Sequence, residues 1–213
     1  MKKVLCLCLA FLLCFMTAGY AAEEATTTDA AVESGAEVFG RVEEDYLNDV
    51  IGFGFKLGDW HFCTDEEIDA LNTISKAVLT EDYAKMVEQL DTFYIMMAIA
   101  SDGTNINISL KNLGNTAVLY NAMGMETIVK SSVEATLSMM QMAGYQNVAV
   151  EYVKAPIDGQ EYDGMKATFE LQNRAMCAKM VMLIRDRYLV TFTITGLEED
   201  KVNDAFQRLY HLN

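Results

Sequence analysis

His61 and Cys63 stand two residues apart in the strand-like run Trp60-His61-Phe62-Cys63, which puts both side chains on one face. A thiol beside an imidazole is the pairing from which a cysteine nucleophile is made. The same Cys63 immediately precedes Thr64, a helix cap, and sits where it can close a hydrophobic staple on Ile68. A thiol protease also needs a residue to orient the histidine and donors for the oxyanion, and no motif here supplies them. The reading is a buried structural thiol and no catalytic residue. His211, the second of two histidines in the chain, is expected in the last turn of a terminal helix, where the dipole favours a cation.

Other chemistry is sparsely marked. The chain beyond the first 22 residues has no Gly-x-Ser-x-Gly, His-Glu-x-x-His or Cys-x-x-Cys motif and no EF-hand loop. Met176, Met180 and Met182 share one strand face, a geometry that suits a thioether copper(I) site but also an adaptable apolar core. The core is the expectation, with no metal and no cofactor. The acidic clusters Asp65-Glu66-Glu67 and Glu198-Glu199-Asp200 fall at helix starts, where capping and the dipole account for them. Asn107-Ile108-Ser109 matches a glycosylation acceptor, but it lies inside a strand and the leader looks bacterial.

Met1-Lys2-Lys3, an apolar run from Val4 to about Met16 and the small residues Ala18, Gly19, Ala21 and Ala22 have the layout of a cleavable signal peptide over 1–22. The apolar run falls short of the roughly 20 residues that cross a bilayer. Leu7-Cys8 and Leu13-Cys14 lack the small residues that precede a lipidated cysteine. Cleavage removes Cys6, Cys8 and Cys14 and leaves Cys63 and Cys177. An oxidising compartment permits a disulfide between these two, and the staple gives Cys63 a reduced alternative. Loss of Lys2 and Lys3 takes the formal charge from −15 to −17. Such a chain repels nucleic acid and anionic membrane, whose binding needs clustered Lys and Arg.

These residues must be positioned by a single domain. Residues 23–44 read as a flexible linker and 45–213 as one domain with a sizeable core. Ile51 to Leu57, the turn Gly58-Asp59 and Trp60 to Phe62 read as a hairpin. Helices are expected from Thr64, with Ile68, Leu71 and Ile74 inward, and from Thr80, with Tyr83, Met86, Val87 and Leu90 inward. Asp102-Gly103 joins the strand Thr92 to Ala100 to a second carrying Ile106, Ile108 and Leu110. The longest helix runs from Met125 to Ala143 with Val129, Val133, Leu137 and Met140 at helical spacing. Strands follow near 147–154, 164–173, 176–186 and 188–195, with Pro156 in a turn and a last helix burying Val202, Phe206 and Leu209. Tight turns between strands imply an antiparallel sheet with helices packed on it, an α+β class.

The segment Tyr46-Leu-Asn48-Asp-Val-Ile-Gly52-Phe53-Gly-Phe55-Lys-Leu-Gly-Asp-Trp60 resembles the entry of PsbP-like domains, and the element order over roughly 45–213 is similar. That fold is shared by the photosystem II extrinsic protein, a Ran-binding import factor and bacterial DcrB-like envelope proteins. The chain departs from the pattern in lacking a proline between the first strand and Trp60. The resemblance implies a three-layer α-β-α sandwich and a non-catalytic role. The expectation is a secreted or cell-surface binding domain whose partner is a protein, peptide or envelope component. It meets that partner through a sheet edge or a cleft beside Trp60 and His61. No nucleic acid and no stable membrane insertion after cleavage are expected. The alternative is an extracellular hydrolase with an unmarked carboxylate site.

Overall fold

A computed structural model describes residues 40–64, 92–171 and 173–212. The signal segment, most of the linker and the two helices expected from Thr64 and Thr80 lie outside the described residues. Four short strands, β1 (Arg41–Val42), β2 (Tyr46–Asn48), β3 (Phe53–Phe55) and β4 (His61–Phe62), come first. Next are β5 (Thr92–Ile99) and β6 (Asn105–Asn112), then helices α1 (Ala117–Met123) and α2 (Met125–Met142). The long strands β7 (Gln146–Ile157), β8 (Gln160–Leu171), β9 (Arg174–Arg185) and β10 (Tyr188–Gly196) follow in meander. Helix α3 (Glu199–Phe206) and β11 (Leu209–His211) close the described chain.

Two antiparallel sheets result. Seven strands are ordered β4-β5-β6-β10-β9-β8-β7, and four are ordered β1-β2-β3-β11. On one face of the large sheet Ile106, Ile108, Val190, Phe192, Ile194 and Val181 pack with Phe53, Phe55, Val202 and Phe206 of the small sheet and α3. On the other face Met165, Ala167, Phe169, Met180 and Met182 meet Val129, Met139 and Met140 of α2. The class is α+β. Helices α1 and α2 form the layer on one face, and among the described residues the opposite layer is a small sheet plus the short α3.

Four expectations change. Gly58-Asp59 is a turn, closed by the Trp60 N–H donating to Leu57 O at 2.9 Å, but it joins two sheets and does not close a hairpin. Strand β3 pairs with β2 and β11, while β4 pairs with β5. The cause is that Ile51, Phe53 and Phe55 are all fully buried, so β3 is an interior strand that needs a partner on both sides. Pro156 lies within β7 opposite Glu161. An edge strand accommodates it because its missing N–H would point away from the sheet. The actual turn is Asp158-Gly159, with φ of 49° and 79°, the positive values a two-residue type I′ hairpin requires. The last helix ends at Phe206, so Leu209 is buried from a strand and His211 pairs with Phe53 in β11. Finally, β1 pairs with β2, so the sheet begins within the stretch read as linker.

Candidate functional site

Trp60 is committed to the fold. It is half-buried, its ring meets Phe55 edge-on at 5.2 Å, and the Arg208 guanidinium lies 5.4 Å from its centroid. Arg208 comes from the turn after α3. It donates from Nη1 to the carbonyls of Lys56 (3.1 Å) and Leu57 (2.9 Å) and from Nη2 to Asp59 at 2.7 Å. The Gly58 turn is therefore clasped from outside, and the hydrogen bond from Arg208 holds the Asp59 carboxyl below its usual range. His61 stands exposed on β4, opposite Ile99 at the rim of the large sheet.

Cys63 and Cys177 are both buried, and no disulfide joins them. The disulfide that the compartment permits is not formed, and the topology explains it. The backbone of Cys63 bonds to Met97 next to β4, whereas Cys177 is on β9, four strands away. At about 4.8 Å per strand that is roughly 19 Å, against the 7 Å a bridge tolerates. The expected staple partner Ile68 lies outside the described residues.

A cleft lies where β8 ends and β9 begins. It measures about 310 Å³ and is lined by residues that include Asn147, Phe169, Met176, Cys177, Glu170 and Glu199. Glu199 opens α3, and it accepts from Lys166 Nζ at 2.6 Å with Lys179 at 3.8 Å. The Lys166 hydrogen bond keeps Glu199 below the ordinary glutamate range, and burial pushes the Cys177 thiol up, with Glu199 adding to the rise. The carboxylate thus stays ionised and the thiol protonated, the reverse of what an acid and a nucleophile need. Leu197, 42% exposed, completes an apolar rim.

A second constellation is brought together by the fold without a motif in the sequence. His211 Nδ1 lies 3.2 Å from Asp158 Oδ2, its Nε2 lies 2.7 Å from the Tyr162 hydroxyl, and the Asp158 carboxylate also accepts the His211 backbone N–H at 3.1 Å. Carboxylate, imidazole and hydroxyl in series have the order of a nucleophilic relay. Burial, however, raises the Tyr162 pKa, and the ring packs against Phe53 at 6.1 Å, so the hydroxyl is enclosed. The series ties β11 to the β7–β8 turn. The Asp158-Gly159 dipeptide was the available signal for that turn, since it sits between two β-rich runs.

No protein-family model matches the chain, and no curated protein does. Among solved structures, a protein from Bacteroides thetaiotaomicron VPI-5482 aligns with TM-score 0.36 and 11% identity over 76% of this chain and 46% of that one. The chain thus spans about half the length of that relative. LpqN, involved in cell envelope biogenesis of Mycobacterium tuberculosis, aligns with TM-score 0.34 and 7% identity, covering 71% of this chain and 75% of LpqN. At these scores neither likeness extends to function.

Met176, Met180 and Met182 do share one face, where each is at most 5% exposed and packs in the core under α2. Among the described residues no group of three His, Cys, Asp or Glu side chains could hold a metal ion. No described helix is long and apolar enough to cross a membrane. Asn107 of the acceptor-like tripeptide is fully buried on β6, where Asn105, Asn107 and Ser109 stand opposite Thr195, Thr193 and Thr191 of β10.

Proposed function

We propose that the chain is a non-enzymatic, extracytoplasmic binding domain that holds a protein, peptide or envelope component at the β8–β9 end of its large sheet. The observation that carries this reading is the 310 Å³ cleft, whose walls combine Phe169, Met176 and Leu197 with the carboxylates of Glu170 and Glu199. Apolar walls with a few convergent polar groups are what a recognition site needs. The signal-like leader supports an extracytoplasmic location, and the PsbP-like entry segment supports a binding role. Of the two acids, Glu199 belongs to a helix start and is ion-paired. The Lys166 hydrogen bond holds Glu199 below the ordinary glutamate range, which disfavours it as the general acid of a hydrolase.

The test fills the cleft. Ala175 is exposed on its lining, so Ala175→Trp occupies the space without disturbing the core. Capture from a native envelope fraction should recover a specific partner with the wild-type domain and lose it with Ala175→Trp. Purified domain should show no turnover of peptide, ester, glycoside or peptidoglycan substrates. Turnover abolished by Glu170→Gln, with folding intact, would replace this reading with the hydrolase.

A further inference from the structure

The open edge of the large sheet leads into that cleft. Strand β7 is twelve residues long and, among the described residues, pairs only with β8. Its register fixes which backbone groups are spare. Ile157 and Gln160 flank the two-residue turn and are a hydrogen-bonded pair, and antiparallel pairs alternate. Ala155, Val153 and Glu151 therefore bond inward to β8. Val150, Tyr152 and Lys154 direct both N–H and C=O outward, and Pro156 directs outward a carbonyl alone. At the other end the register shifts between Gln146 and Ala149, and Asn147, with φ of 50°, lines the cleft.

The charges along this edge are unbalanced. Lys154 is paired with Asp163 at 2.7 Å, and Lys166 with Glu199 at 2.6 Å. Glu151 reaches Lys166 only at 4.0 Å and is 66% exposed. Glu161 and Glu170, at the two ends of β8, have no ion-pair partner among the described residues. The nearby lysines are thus neutralised and three carboxylates are not, on a chain of formal charge −15. A second copy would bring the same acidic edge and the same net charge, and Lys154 and Pro156 on the strand are residues that discourage self-pairing.

Resting on the binding reading above, we propose that the β7 edge takes an extended peptide rich in Lys or Arg as an eighth antiparallel or parallel strand. Its backbone bonds to Val150, Tyr152 and Lys154, and its basic side chains face Glu151 and Glu170, which the register places on one face of the sheet. Strand addition supplies affinity through the main chain, and the cleft beyond Asn147 receives an apolar side chain at the peptide's end.

The experiment uses a fluorescein-labelled nonapeptide of alternating Lys and Val, with the full-length processed domain at low ionic strength. Anisotropy should report binding, and amide exchange should slow at Val150, Tyr152 and Lys154. The same peptide N-methylated at every backbone nitrogen keeps its charge but has no backbone donors and should bind at least tenfold more weakly. A Glu-Val counterpart should bind at least tenfold more weakly too, and Val150→Pro should lose binding while near-ultraviolet dichroism stays native. Equal binding of the methylated peptide, protection elsewhere in the sheet, or a dimer that Val150→Pro disrupts would each overturn the proposal. If the edge fails while partner capture still depends on Ala175, the binding reading survives and this inference does not.

Discussion

Arg208→Ala tests whether Trp60 is a structural residue and not a contact. The substitution removes two charge-assisted hydrogen bonds to the Lys56 and Leu57 carbonyls and the guanidinium stacked on Trp60. Hydrogen bonds to a charged group contribute about 1.5–3 kcal/mol each. Arg208 is 31% exposed, so the lower end reduced by solvent screening applies and the pair amounts to about 2–3 kcal/mol. The cation–π contact adds about 0.5 kcal/mol. The Asp59 ion pair is left out because its carboxylate is solvated, and such pairs count for little. A loss near 3 kcal/mol lowers the melting temperature of a domain this size by about 6–12 °C. Urea unfolding followed by the emission of Trp60, the chain's one tryptophan, reads both the loss and the wetting of the ring. Arg208→Lys keeps the charge but loses the planar fork, so it should recover less than half. A loss under 0.5 kcal/mol, or full rescue by lysine, would refute the clasp.

Two further outcomes follow from the buried groups. Processed protein should titrate two free thiols once denatured without reductant and almost none while native, because burial and Glu199 raise the Cys177 pKa; one or no thiol after denaturation would restore the disulfide. The Asp158 carboxyl is depressed by the His211 backbone N–H and then by its side chain. Its contribution is therefore complete above the ordinary aspartate range and fades as pH falls through the lowered value. Amide exchange of β11 should accelerate over that acidic window in wild type, and Asp158→Asn should remove the pH dependence.

What the sequence made legible depended on how locally each contact is encoded. Asp102-Gly103 and the Met125 helix carry their signals within a few residues, and both are found in place. The partner of β3 could not be read the same way, because alternating residues fix that a strand exists and not which strand it joins. His211 shows the cost of that limit. Val202 and Phe206 have helical spacing, and continuing the period through Leu209 carries the histidine into a helix. The chain instead turns after Phe206, since Leu209 fills the same core from β11 once Phe53 and Phe55 offer a free edge. Arg208 lies 148 residues beyond Trp60, and nothing local announces that it covers the ring. The cleft escaped for the same reason: its walls come from the start of β7, the β8–β9 turn and the N-terminus of α3, elements brought together only by the sheet order. Composition gives the net charge of −15, but where that charge is left unpaired, on Glu161 and Glu170 of β8, is set by the fold.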